Sequence, residues 1–405
     1  MKYLIIAWRN LWRNKRRSLI TIASIFFGVI LSTIMNSLQD GTYTNMVDMM
    51  VKLSTGYVQV QNPEYFENRT INNTFTPSPE LLEQLKSAPR VTTVAQRFES
   101  FALISSGPNT RGGAVIGFEP EMDKQTSNLQ QWVSDGEFIH PGDRGVLVSF
   151  NIAKHLNLQV SDTIILVSQG YRGVTAAGKY PIRGILTFST PQLNNLGVFM
   201  DIALAQELYS TEGMITSLML MVNDYSDVHS VKSRLSTLTN GSLSVYSWEE
   251  LNPELVQFIE SDKAGGVVMI GILYIVIGFG IFGTIIMMIA ERRRELAVMI
   301  AVGMQKVKLA TILFLETLLI GLVGVLSGFA VSVPVILLMV KNPIELPGEM
   351  ADAYLQYGFE PYLYFGMAPD VFWGQIITVF IITMLISIYP IVKVRRMVVS
   401  KSLRA

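Results

Sequence analysis

The sequence predicts an α-helical membrane protein with four transmembrane helices and one large α+β domain on the external side. Three observations carry that expectation. Apolar residues fill 50% of the 405 positions and charged residues only 16%, against about 25% charged in ordinary soluble proteins. Mean hydropathy is +0.37. Four stretches, 19–38, 265–290, 309–340 and 371–392, are nearly free of charge, and each reaches the roughly 20 residues that cross a bilayer as a helix.

The first, second and fourth stretches contain no Asp, Glu, Lys or Arg, and the third contains only Glu316. Core helices of soluble proteins rarely run so long without a polar face. Pro334 is expected to kink or end the long third span near one membrane face. The first reads as an uncleaved anchor, because a signal peptide's apolar region is usually about 7–15 residues and no small-x-small cleavage site follows it.

Charge sets the orientation. Residues 1–18, 291–308 and 393–405 together hold 16 of the 32 basic residues but only 2 of the 32 acidic ones. Excess Lys and Arg in short segments marks the cytoplasmic side. The expected order is therefore a cytoplasmic amphipathic helix (1–18), span 19–38, an external domain with its stalk (39–264), span 265–290, a cytoplasmic link (291–308), span 309–340, an external loop (341–370), span 371–392 and a cytoplasmic tail (393–405). A bacterial plasma membrane is the simplest home.

Within 1–18, Leu4, Ile5, Trp8, Leu11 and Trp12 recur at helical spacing with Arg9, Arg13 and Arg16 on other faces. That suits a helix at the headgroup boundary, although a plain basic cluster would orient the chain equally well. Residues 42–53 and 253–263 extend the first two spans, as a stalk or as linkers.

The external domain shows the same order twice. A strand at 56–61, a helix at 79–88 with Ser78 as N-cap and a strand at 91–104 return as strand 215–222, helix 226–238 and strand 242–246. Two β-α-β units imply a split ferredoxin-like sandwich. The insert between them, about 113–212, is expected to form a β-rich subdomain with strands at 145–149, 163–168, 180–186 and 198–200.

Little chemistry is visible. The chain has no cysteine, which excludes disulfides, thiolate metal sites and cysteine nucleophiles. His140, His155 and His229 lie outside the apolar stretches. Zero net charge argues against nucleic acid as a partner. No phosphate-cradling GxxxxGK[ST], HExxH or GxSxG motif occurs. Gly324 and Gly328 form a small-xxx-small pair suited to close helix packing.

The informative stretch is Glu291-Arg-Arg-Arg-Glu295-Leu-Ala-Val-Met-Ile-Ala-Val-Gly303. A charged helix continuing a span and ending at glycine suits docking of a cytosolic protein, and its two acids favour a protein surface over a lipid one. It resembles the E-R-x-x-E-[IL]-[GA]-x-x-[RK]-A-x-G signature of FtsX-like permeases, the group that includes MacB, LolC and LolE. Ala7-Trp-Arg-Asn-Leu-Trp-Arg-Asn-Lys-Arg-Arg-Ser18 is similar to that family's N-terminal segment, and the order of spans agrees. The resemblance is specific at Glu291, Arg292, Glu295, Ala301, Gly303 and Glu316. One departure is Met299-Ile300, where the family has a basic residue before Ala-x-Gly.

The resemblance implies a permease subunit of a mechanotransmitting ABC system, closest in layout to LolC and LolE. A cytosolic ABC ATPase, which would bind ATP and Mg, would couple through Glu291, Arg292, Arg294, Glu295 and Gly303. A second permease copy or paralogue would pair in the membrane. The external domain would then correspond to the family's porter part with an inserted subdomain. No cofactor or metal is expected in this chain. The expected activity is lipoprotein release from the inner membrane, with a periplasmic carrier or adaptor as a further partner. Efflux of peptides or amphiphiles through a duct, and regulation of a hydrolase or sensor, stand as alternatives.

Glu316 lies inside a span, where a carboxylate needs a partner; Arg292, Arg294 or an N-terminal arginine could supply it. A lateral groove for an acyl chain would be lined by Met35, Leu38, Met269, Leu273 and Ile277, unless those faces meet bilayer lipid or the partner subunit.

Overall fold

The computed structural model describes residues 2–13, 15–189, 193–239, 241–356 and 360–398. The tail beyond 398, part of the expected cytoplasmic tail, lies outside them. The chain divides into two compact units, Met1–Asn45 with Phe258–Glu345 and Tyr362–Ala405, and Met46–Gln257 with Leu346–Pro361. Among the described residues, four helices are long and apolar enough to cross a membrane: Ser18–Thr55, Pro253–Glu291, Lys306–Lys341 and Pro369–Arg395.

The chain opens with α1 (Lys2–Arg13) and α2 (Lys15–Met50). Helix α1 buries Ala7 and Leu11 and leaves Leu4, Ile5, Trp8 and Trp12 outward, so its apolar residues point two ways. The Ser18 hydroxyl donates to the Leu11 carbonyl at 2.9 Å and closes the turn between the helices. At about 1.5 Å per residue, the 36 residues of α2 exceed the roughly 30 Å hydrocarbon core. The surplus forms the expected helical extension, which ends in a π-helical turn at Val51–Thr55 and at Gly56, whose φ is +69°.

In the second unit come β1 (Val58–Gln61), α3 (Pro79–Lys86), β2 (Val91–Ser106), β3 (Asn109–Phe118), β4 (Val133–Gly136), β5 (Val146–Ser149), α4 (Phe150–Leu156), β6 (Thr163–Gln169), β7 (Thr175–Leu186), β8 (Gly197–Asp201), α5 (Ile202–Tyr209), β9 (Ser217–Val222), α6 (Val228–Leu238), β10 (Ser244–Ser247) and α7 (Trp248–Leu251). Ser78 caps α3 by accepting from Leu81 N. The order β10-β1-β9-β2, antiparallel at every step, is the one that two interlocked split β-α-β units produce.

The insert is β-rich, as expected, and its strands continue the sheet of the sandwich. It is not a separate sheet. The 16-residue strand β2 pairs β9 along its first half, β3 along its second, and β6 near its end. Pairing continues from β3 to β8, β5, β7 and β6 and returns to β2. The ring closes as a six-stranded barrel, so these strands leave few free edges. Ile104, Val115, Val148, Leu166, Ile182 and Met200, one from each strand, are at most 1% exposed and share one core. Leu156 of α4 and Leu204 and Tyr209 of α5 pack into the same core.

Arg97 is 1% exposed where β2 passes the end of α2. Its Nη2 donates to the Leu53 carbonyl at 3.2 Å and to Ser127 Oγ at 2.9 Å, while Nη1 is buried without a hydrogen-bond partner among the described residues. Nearby Asp123 accepts from the Leu129 and Gln130 amides at 2.8 and 3.1 Å, and burial pushes its carboxyl up. A buried guanidinium thus ties the π-helical turn to the sheet.

The first unit resumes with α8 (Pro253–Glu291), α9 (Arg293–Ala301), α10 (Lys306–Lys341), β11 (Ile344–Glu345), β12 (Tyr362–Leu363), α12 (Pro369–Ile386) and α13 (Ile388–Arg395); α11 (Glu349–Gln356) belongs to the second. Tyr43 of α2 donates to Asp262 of α8 at 2.5 Å and accepts from Gln39 at 2.8 Å, which ties the two helical extensions together. Helix α10 runs through Pro334 without ending; one missing backbone donor is tolerated in a long packed helix. The break falls in the fourth span instead, at Ser387, three residues before Pro390, whose ring removes the donor for the Ile386 carbonyl. Gly324 and Gly328 admit α2 at close range. A Cβ at Gly328 would stand 2.9 Å from Val29 Cβ and 3.0 Å from the Phe26 carbonyl.

Candidate functional site

The site lies where α8 gives way to α9. Arg292, with φ −89° and ψ 5°, breaks the helix. Leu296 N still donates to the Arg292 carbonyl at 2.9 Å, so α9 restarts at once. It ends at Gly303, whose φ of +107° favours glycine. Met304 N donates to the Met299 carbonyl at 3.0 Å, and α10 begins at Lys306.

The break turns the Arg292 side chain inward. Arg292 is 5% exposed and Glu316 1%. Arg292 Nη1 donates to both carboxylate oxygens of Glu316 at 2.9 and 3.0 Å. Arg292 Nε faces Glu295 Oε2 at 3.5 Å, and the same Glu295 oxygen accepts from Arg13 Nη2 at 3.0 Å. Asn10 lies close to Glu316. Alternating charges therefore run Glu316–Arg292–Glu295–Arg13 from α10 through the break to α9 and α1. The inner pair is buried; at the outer one, the two side chains are 59% and 57% exposed.

The network borders a groove of about 640 Å³ whose lining includes Ile6, Asn10, Arg13, Arg294, Glu295 and Met299. Displacing α9 would pull on α1 and α10 together, because ionic contacts join all three. Among the described residues, no group of three His, Asp or Glu side chains is arranged to hold a metal ion.

Of the residues singled out from sequence, Arg292, Glu295 and Glu316 come together, and the partner of Glu316 is Arg292. Arg294 is exposed on the groove, Glu291 ends α8 and Gly303 forms the turn. An N-terminal arginine was an expected partner of Glu316; Arg13 joins the network through Glu295 instead, and Asn10 was not foreseen. Its position on a basic amphipathic helix was the available signal.

The groove residues separate. Met269 is 62% exposed, and Met35, Leu38 and Leu273 are half-buried. Ile277 is corrected: it is 6% exposed and fills the notch at Gly28 of α2, where a Cβ would stand 2.5 Å from its Cδ1. The outward stripe on α8 consists instead of Ile272, Ile275, Val276 and Phe279, at 57–70% exposure. An all-apolar helix carries no periodic signal from which its rotation could be read.

Comparison with known proteins agrees with this layout. Residues 267–399 match the FtsX-like permease C-terminal family model, and residues 18–238 match the MacB-like periplasmic core domain. The lipoprotein-releasing system transmembrane protein LolC of Xylella fastidiosa is 22% identical over 249 residues, covering 59% of each chain. LolC of Neisseria meningitidis is 19% identical, over 78% of this chain and 76% of its own. An ABC transporter permease of Methanocaldococcus jannaschii is 20% identical over 82% of each. The periplasmic region of MacB from Actinobacillus actinomycetemcomitans aligns with a TM-score of 0.35 at 12% identity, covering 52% of this chain and 94% of that one. With the core-domain match alone spanning more than half of the sequence, this chain belongs to the FtsX/MacB-type family of ABC transporter permeases.

Proposed function

We propose that this chain is the membrane subunit of a transporter powered by a separate cytosolic ATPase, which binds ATP and Mg, and that it releases lipoproteins from a bacterial inner membrane. The observation that carries the reading is the ionic chain joining α9 to α1 and α10. A force applied to α9 by a docked ATPase reaches the membrane helices through it. The arrangement pairs two such subunits, and a periplasmic carrier receives the product. The LolC relatives support the substrate class.

Both termini and α9 face the cytoplasm in this reading, on the charge asymmetry of the sequence. The native chain has no cysteine, so single cysteines report cleanly. One at Ser134 is expected to label with an impermeant reagent from outside intact spheroplasts, and one at Gln305 is not. The reverse pattern overturns the orientation.

Substrate acyl chains enter laterally along the outward apolar faces of α2 and α8, where burial of each methylene contributes about 0.8 kcal/mol without polar recognition. Photo-crosslinking groups at Leu38 and Met269 are expected to capture lipoproteins in cells. Capture of soluble peptides or small amphiphiles would favour adaptor-linked efflux. Capture of the partner permease alone would remove the lateral path.

A further inference from the structure

The membrane-spanning unit carries a second groove, of about 530 Å³, between the end of α8 and α13. Its walls include Ile286, Ile289 and Val392, and its mouth carries Arg293, Lys393 and Arg396. The three cations are exposed. Among the described lining residues there is no acid. The first groove differs, since Glu295 stands there beside Arg13 and Arg294.

Depth and charge identify the occupant. The aliphatic walls belong to the last turns of two helices long and apolar enough to cross a membrane, where a soluble protein does not reach. The cations follow within about one turn of those walls, where a helix leaving the hydrocarbon core is expected to meet lipid phosphates. Helix carbonyl ends attract cations, but Lys306 of α10 serves α13 by donating to the Met397 and Arg395 carbonyls at 2.8 and 3.4 Å. That task does not fall to Lys393 or Arg396.

We infer that this groove binds an anionic phospholipid, with its acyl chains against Ile286, Ile289 and Val392 and its phosphate between Arg293, Lys393 and Arg396. Basic pockets between helices at a membrane face bind anionic headgroups in this way. The site is independent of which substrate the transporter moves. It gives the α8–α9 junction a lipid neighbour on one side and the charge network on the other.

The test uses the full chain with its native partners, exchanged into nanodiscs of phosphatidylcholine doped with phosphatidylglycerol, with retained lipid read by native mass spectrometry. Each cation removed is expected to weaken retention about fivefold, so Lys393→Gln with Arg396→Gln lowers phosphatidylglycerol occupancy roughly 25-fold. Arg294→Gln, on the other groove, leaves it unchanged. The charge-preserving pair Lys393→Arg with Arg396→Lys retains the lipid, which separates binding from misfolding. Unchanged retention in the double glutamine variant overturns the site, as does equal retention of phosphatidylcholine. Displacement by millimolar inorganic phosphate alone would make it a free-anion site. Loss of a protein partner with lipid unchanged would make it a protein surface.

Discussion

Glu316→Ala is expected to destabilise the membrane unit by about 3–5 kcal/mol, the usual cost of leaving one member of a buried ion pair without its partner. Arg292 would remain charged and 5% exposed with its bidentate acceptor gone. Arg292→Ala strands Glu316 in the same way. Glu316→Gln keeps the shape and one acceptor, so a smaller loss is expected. The informative variant is Arg292→Met with Glu316→Met. Replacing both charges with apolar groups of similar volume is often neutral, so the double variant is expected to lie within about 1–2 kcal/mol of the parent. The readout is the thermal aggregation midpoint of the full chain in mild detergent. A double variant as unstable as the two single losses combined would mean that each residue acts alone.

Glu295→Arg is expected to lower that midpoint less than Glu316→Ala does, although it turns the 3.5 Å contact with Arg292 repulsive, and to weaken ATPase association by at least about tenfold. Its bond to Arg13 is solvent-exposed, and such pairs contribute about 0–1 kcal/mol. Like charges across an interface cost several kcal/mol. The intrachain bond makes the assignment testable with a second substitution. Arg13→Glu combined with Glu295→Arg restores the salt bridge with its charges exchanged. If Glu295 serves only α1, the exchange restores function. If a partner surface reads Glu295, the exchange leaves association weak.

The membrane architecture was legible because an uninterrupted apolar run has a single physical use at that length. The sandwich order was legible because its β-α-β pattern occurs twice, and two such units interlock in one way. Closure of the barrel was not. It depends on β2 pairing with β6 sixty residues later, and no local periodicity records that. Arg97 was missed because, in the alternation Gln96-Arg97-Phe98-Glu99, a charged residue reads as solvent-facing. In the structure it lies beneath the end of α2. The Arg292–Glu316 pair was half legible: a carboxylate inside a span demands a cation, but three were within reach. The helix break at Arg292 selects among them by turning that one side chain inward. The break at Ser387 was missed although Pro390 signalled it, because the apolar run continues on both sides.

The central claim is that an ATPase in another chain drives this one through α9. The most direct measurement is ATP turnover of the complex purified by a tag on this chain, parent against Glu295→Arg, in the same nanodiscs. The parent is expected to co-purify with an ABC ATPase whose hydrolysis responds to substrate, and the variant to lose the subunit or that response. An intact complex with unchanged, substrate-responsive turnover in Glu295→Arg would contradict coupling through this helix.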